Sequence, residues 1–317
     1  MPAYTGSGPY CYTHSLRMVI GPSAPPPGIV ETLTGSPFGA QLIGGALPFF
    51  DPCGWDPEIG LDTAIGLLGW SCERSAGGTA EEALARLRAA CARGPVLAGP
   101  VDMGLLLYRP GTPSPGEGDH YAVVLAADAG TVLLHDPHGH PYATLPARAF
   151  AGAWRAESVD YTGEPYVMRA GFTEERAADP AAALRASLPG AVRWLDGPGD
   201  RPVPRGTLGG AAALEALAAQ VEQGLDARVR DLLAEFGVRL GARRLADAAG
   251  CLSLIGLERA AAAADGQARA VGALQYPLAT GDDEGLAAGL RRAAPGYRRL
   301  RDALTAEAGP GLPGPRG

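Results

Sequence analysis

The stretch "HYAVVLAADAGTVLLHDP", residues 120–137, carries the reading of the fold. Two apolar runs flank "ADAGT", where Asp and Gly stand as a type I turn with a glycine bulge favours. The spacing predicts an antiparallel hairpin with strands over 120–127 and 131–136. Both faces of each strand are apolar, which points to a covered central sheet rather than one with a wet face. Counted outward from a turn centred near Asp128, His120 falls opposite Asp136, within the one-residue slip that a bulge introduces. Directly opposed side chains lie about 4.5–5.5 Å apart at Cβ. A carboxylate placed there holds one imidazole nitrogen and leaves the other to act as a base.

A third apolar strand, "PVLAGPV" (95–101), precedes the hairpin. Residues 12–20, 58–70 and 79–94 read as helices, and the last opens with Thr79 and Glu82 in capping-box spacing. "SPFGAQLIGGALPFFDP" (36–52) reads as a Gly-punctuated loop or short strands. Helices packed on a buried sheet make an α+β domain. Near residue 175 the chain turns Ala/Leu/Arg-rich, with amphipathic helix patterns at 209–224, 226–240, 242–263 and 284–307 and a broken one at 184–195. The expected organisation is a catalytic domain over 1–177, a helical subdomain or lid over 178–308, and a disordered tail over 309–317.

The nucleophile that suits such a base lies in "GPYCYTHSLRMVIG" (8–21). Cys11 follows a Gly/Pro loop and opens a helical pattern. A helix N-terminus favours the thiolate, the reactive form, and its backbone N–H groups can face an oxyanion. Cys53, Cys72, Cys91 and Cys251 have no such setting, and the five cysteines form no C-x-x-C pair. His14 shares a helix face with Cys11 as a weaker candidate base. His135, His138 and His140 invite a metal reading, but Pro137 and Gly139 make the segment a turn with no fourth ligand in view.

Composition narrows the function. Lys is absent, every basic side chain is Arg, and the net charge is −7, which argues against a nucleic-acid binder. No apolar run reaches the length of about 20 residues that a membrane helix needs, so no membrane association is expected. The odd, scattered cysteines and the lack of a signal-peptide pattern predict a cytoplasmic protein.

The order Cys, His, Asp, with Cys at a helix start and the pair on a hairpin, resembles papain-like cysteine enzymes. Those enzymes place an oxyanion-donating Gln before the Cys. Here the segment is "YTGSGPY", where Thr5, Ser7, Tyr10 or backbone alone would serve. More narrowly, "CYTHSLRMVI", "PVLAGPVDMGLLLY" (95–108) and "GDHYAVVLAADAGTVLLHDP" (118–137) resemble the butirosin biosynthesis protein H family, and "RLADAAGCL" (244–252) does so more loosely. Tyr10 stands where that family's pattern leads one to expect His. The resemblance implies a papain-like, C39-like fold with a C-terminal helical region, working in antibiotic or other secondary metabolism. It implies that Cys11 takes an acyl group from an acyl-carrier-protein thioester and passes it to an amine, within or between molecules. His120 would then move the protons and Asp136 would orient His120. Tyr10, Thr13, Asp102 and Tyr108 would contact substrate, Asp102 as the acceptor of a substrate ammonium or else as a structural capping residue, and the loop 36–50 would line an acyl tunnel. No cofactor of its own is implied, since the phosphopantetheine belongs to the carrier protein. The acceptor would be a small-molecule, polyketide or peptide amine. An acidic carrier calls for a basic face, for which Arg291, Arg292, Arg298, Arg299 and Arg301 are candidates. A peptidase or amidase with the same triad, and a papain-like binding protein without activity, are the alternatives.

Overall fold

The structure is a computed structural model that describes residues 9–111, 113–197, 199 and 201–308. In chain order, α1 (Cys11–Ile20), a 3-10 turn (Gly21–Ser23) and α2 (Pro27–Leu33) lead to β1 (Gln41–Ile43) and β2 (Leu47–Phe49). Next come α3 (Pro57–Leu67), β3 (Trp70–Ser75), α4 (Ala80–Cys91) and β4 (Val96–Asp102). A second 3-10 turn (Met103–Leu105) precedes β5 (Asp119–Ala127), β6 (Thr131–Asp136) and β7 (His140–Pro146). They are followed by α5 (Ala147–Trp154), β8 (Met168–Glu174), α6 (Pro180–Asp196) and β9 (Leu208–Gly209). The remainder is helical: α7 (Gly210–Gly224), α8 (Ala227–Leu232), α9 (Val238–Leu254), α10 (Glu258–Gly272), α11 (Gln275–Thr280), α12 (Asp283–Ala293) and α13 (Gly296–Ala308). The fold is α+β, with antiparallel sheets in the N-terminal part and an all-helical C-terminal region.

The chain divides into two compact units. One joins Tyr10–Pro27 to Leu68–Ala177, and the other joins Gly28–Leu67 to the chain from Ala178 onward. The domain expected over 1–177 is therefore split, because residues 28–67 group with the C-terminal helices. Two long-range pairings account for this. β1 pairs with β9, and Glu31 meets Arg244 across 213 positions of sequence. The expected tail, 309–317, lies outside the described residues.

The first unit is built on a six-stranded antiparallel sheet in the order β3-β8-β4-β5-β6-β7. Ala83 and Leu87 of α4 and Phe150 and Trp154 of α5 form one core with Val96, Ala98, Ala122, Val124, Val132 and Leu134 of the inner strands. Helix α1 packs against β5 and β4 and buries Leu16 completely. That two-sided cover is why these strands read as continuous apolar runs. Thr79 and Glu82 form the expected capping box at the start of α4. Strands β3, β7 and β8 carry no comparable run. β3 and β7 are edges, largely exposed, and β7 holds Pro141 and Pro146 as edge strands tolerate.

In the second unit, β1, β2 and β9 form a small sheet in the order β2-β1-β9. Gly44 and Gly45, at φ +59 and +73, turn the β1–β2 hairpin through the left-handed conformation within its three-residue loop, 44–46. The helix expected over 242–263 is broken into α9 and α10 at Gly256, whose φ is +79. The one expected over 284–307 is broken into α12 and α13 ahead of Pro295, and that over 226–240 into α8, a π-helical turn (Leu233–Gly237) and α9. The segment 184–195, expected to be broken, instead lies within the single helix α6 despite Pro189. Among the described residues no helix is long and apolar enough to cross a membrane.

At the centre of this second unit is a buried polar cluster. The Arg244 guanidinium meets the Glu31 carboxylate at 2.9 Å and Asp51 at 3.2 Å, and lies 5.5 Å from the Trp55 ring centroid. Ser36 Oγ donates to Glu31 at 2.8 Å, and Gln41 Nε2 donates to Asp51 at 2.7 Å. Charges this deep are tolerated only when paired and hydrogen-bonded, as these are.

Candidate functional site

The hairpin β5–β6 brings His120 and Asp136 together, in a register slightly different from the one expected. Val123 stands opposite His135 and Val124 opposite Leu134, and the pairing shifts at Leu125, the bulged residue. His120 is thus diagonal to Asp136 rather than directly opposite, a separation that long side chains still span. His120 Nε2 and Asp136 Oδ1 are 2.7 Å apart, with the two residues only 1% and 3% exposed.

Asp136 is held on both oxygens. Oδ1 also accepts the backbone N–H of His138 at 2.7 Å, and Oδ2 accepts the Tyr108 hydroxyl at 2.9 Å. Burial favours the neutral acid. The bond and charge of His120, with the two further donors, outweigh it and hold the carboxyl well below the usual range. An ionised carboxylate only accepts, so His120 carries its proton on Nε2 and keeps Nδ1 as the basic nitrogen.

Cys11 opens α1, and the N-cap residue Tyr10 provides no side-chain cap. Ser15, one helical turn further on, donates to the carbonyl of Tyr121 at 3.1 Å. Tyr121 directly follows His120, so the start of α1 is pinned beside the start of β5. The rings of Tyr12 and Tyr121 meet edge-on at 6.1 Å. His14, Arg17 and Met18 of α1 line a groove of about 310 Å³ with Pro137, the residue after Asp136. Cys11, His14 and Met18 share one helix face, so this groove runs along the side that carries the thiol. Cys11 is 8% exposed. Burial pushes Cys91 and Cys251 up to about 11 and raises Cys53 as well.

Other residues named from the sequence have different surroundings. Asp102, expected either to meet a substrate ammonium or to cap the chain, does cap it, at the start of the second 3-10 turn. Its carboxylate accepts from Gly104 N at 3.1 Å, Gly116 N at 2.8 Å and Ser158 Oγ at 2.7 Å, and it is 2% exposed. Tyr108, also expected to touch substrate, donates to Asp136. Tyr10 and Thr13 are buried, Tyr10 with its ring 6.1 Å from that of His14. Thr5 and Ser7 lie outside the described residues. The loop 36–50 belongs to the other compact unit.

The three histidines of "HDPHGH" diverge to separate partners. His135 Nδ1 accepts the Tyr142 N–H at 3.0 Å, His138 lies with its ring 4.7 Å from that of His120, and His140 packs on Tyr108. Among the described residues, no group of three or more His, Cys, Asp and Glu is arranged to hold a metal ion. Burial, then the charge of His120, push the His138 imidazole down to about 4. A histidine that stays neutral in the fold stabilises it above its unfolded value of about 6.5, and that stability is lost as pH falls toward 4. Thermal melting of His138→Gln between pH 7 and 4.5 is therefore expected to fall less than that of the parent chain. Parallel melting curves would contradict this.

Of the five arginines expected to form a basic face, two are already neutralised. Arg291 grips Glu222 at 2.6 and 2.8 Å, and Arg301 pairs with Asp196 at 2.8 Å. Arg292, Arg298 and Arg299 are exposed.

One family model matches the helical end of the chain. Residues 204–305 match the YobF C-terminal domain family. The chain is also similar to the "Uncharacterized protein YobF" of Bacillus subtilis (strain 168), with 32% identity over 165 residues. That alignment covers 51% of this chain and 53% of YobF, so the chain spans about half the length of this curated relative. The family-model match runs from just before β9 into α13 and leaves Cys11, His120 and Asp136 outside it.

Proposed function

We propose that the chain is a cysteine-dependent acyltransferase with a papain-like first unit, in which Cys11 takes an acyl group from a carrier-protein thioester and passes it to an amine. The observation that supports this best is the buried His120–Asp136 pair, which leaves Nδ1 as base beside the start of the helix that bears Cys11. In the first step Nδ1 takes the Cys11 proton and Sγ adds to the thioester carbonyl. The carrier's thiol leaves with that proton, and the acyl group stays on Cys11. In the second step the amine adds to the new thioester, gives a proton to His120 and displaces Cys11, which recovers it. Two thioester-level steps replace one slower direct attack. Asp136 fixes the tautomer of His120 and supports the imidazolium that forms twice per cycle. The phosphopantetheine arm belongs to the donor, and Arg292, Arg298 and Arg299 offer positive charge to an acidic carrier.

Incubation with a panel of acyl-pantetheine thioesters, followed by intact-mass analysis, is expected to give one acyl adduct. It maps to Cys11, is released by hydroxylamine and disappears when a primary amine is added. No adduct with any thioester of the panel would overturn the reading.

A further inference from the structure

We infer that Tyr108 is a positioning residue of the same site: its hydroxyl locks the Asp136 carboxylate in the rotation that presents Oδ1 to His120. This rests on the reading of Cys11 and His120 as nucleophile and base. A carboxylate on a short side chain can turn about its last bond; a half-turn only interchanges two equivalent oxygens, so what a partner can lock is the angle of the plane. Here Oδ1 carries both the His120 and His138 bonds, while Oδ2 accepts from Tyr108 at 2.9 Å. Any smaller turn would stretch the Tyr108 bond on Oδ2 and the two N–H bonds on Oδ1 together. Without the hydroxyl, Oδ2 loses that donor in a buried place, where an unmet acceptor is costly.

Tyr108 is itself built into place. Asp102 ties the N-terminal side of the Tyr108 segment through Gly104 N and its far side through Gly116 N, and is itself held by Ser158 Oγ from beyond α5. Ser114 N donates to Gly104 O at 3.2 Å, and a Cβ on Gly104 would sit only 1.8 Å from Ser114 O, so the segment closes tightly on itself. Leu106 is buried in the sheet core, Arg109 reaches back to Met103 O at 3.2 Å, and the His140 ring packs on the Tyr108 ring at 5.3 Å. Burial and the charge of Asp136 keep the phenol protonated, so it always donates. The Asp102 clamp thus acts on the site through Tyr108.

The groups that face this carboxylate are His120, His138 and Tyr108. Arg109 and His140 stand around Tyr108, and His14 and Arg109 act on His138. A loosely held Asp136 supports the His120 imidazolium less, so a smaller share of the pair stands as thiolate and imidazolium, and thiolate accumulates only as pH nears the range of an unassisted thiol. Tyr108→Phe keeps the ring and removes the hydroxyl. The acid limb of Cys11 alkylation by iodoacetamide is expected to move up by about one pH unit, the scale of one lost hydrogen bond to a charge. The rate at that limb falls about tenfold. Tyr108→Leu, which also loses ring packing, is expected to melt lower but show the same limb. Site-specific 3-fluorotyrosine at position 108, a more acidic phenol of nearly the same shape, moves the limb the other way and serves if Tyr108→Phe does not fold. A limb that stays in place in the folded variants, with only melting affected, overturns the inference. His120→Ala separates the two claims. If it leaves Cys11 alkylation unchanged, the nucleophile–base reading fails. If it slows alkylation while Tyr108→Phe does not shift the limb, only the positioning role fails.

Discussion

Replacing Cys11 with Ala is expected to lower amide formation from an acyl thioester by about 10³-fold or more, the scale seen when a member of a catalytic triad is removed. The acyl adduct disappears with it. His120→Ala is expected to cost nearly as much, because a nucleophile without its base loses most of its advantage. The double variant should be little worse than either single one, since residues that act as a unit are not additive. Fold stability should hardly change in Cys11→Ala, because the thiol is small and sits at a helix start. Circular dichroism and melting therefore separate lost chemistry from lost structure. Turnover in Cys11→Ala within a few-fold of the parent chain would remove the proposed nucleophile.

The largest effect on stability is expected at Arg244, far from Cys11 in sequence. Arg244→Met keeps much of the side-chain volume and removes the charge that pairs with Glu31 and Asp51. Glu31 is 0% and Asp51 8% exposed, so neither carboxylate can turn to bulk water. Breaking one partner of a buried ion cluster costs about 3–5 kcal/mol, most of it the penalty for the charge left behind. Urea unfolding followed by far-UV circular dichroism measures this for the unit that holds α9. Adding Glu31→Gln to Arg244→Met should recover part of the loss, because it removes one stranded charge. A loss under about 1 kcal/mol in Arg244→Met would mean that the cluster is more solvated than its burial indicates.

What the sequence made legible follows from local chemistry. The hairpin of β5 and β6, the capping box at Thr79 and the helix that begins at Cys11 are each written in a few neighbouring residues. The meeting of His120 and Asp136 was legible in outline. The bulge at Leu125 moved the register, and alternating apolar residues give no sign of which one is extra. The capping reading of Asp102 was local and holds, but its further partners Gly116 and Ser158, and the Asp136 partner of Tyr108, lie 14 to 56 residues away, and no local pattern announces them. Strands β3 and β7 were missed because edge strands need not be apolar. The grouping of residues 28–67 with the C-terminal helices hangs on the β1–β9 pairing and the Glu31–Arg244 bridge. Both join segments whose sequences give no hint of each other. A glutamate in "GIVETL" looks like an ordinary surface position until the arginine that buries it is known.

The proposal stands or falls on whether Cys11 is an activated thiol. Site-resolved iodoacetamide labelling of all five cysteines, followed by peptide mass spectrometry from pH 5 to 9, tests that most directly. Burial pushes Cys91 and Cys251 up to about 11, so both should stay nearly unlabelled over this range. Cys11 is predicted to label first, already below pH 7, and to lose that advantage in His120→Ala. Labelling of Cys11 no faster than that of Cys53 or Cys72, and indifferent to His120, would contradict the account.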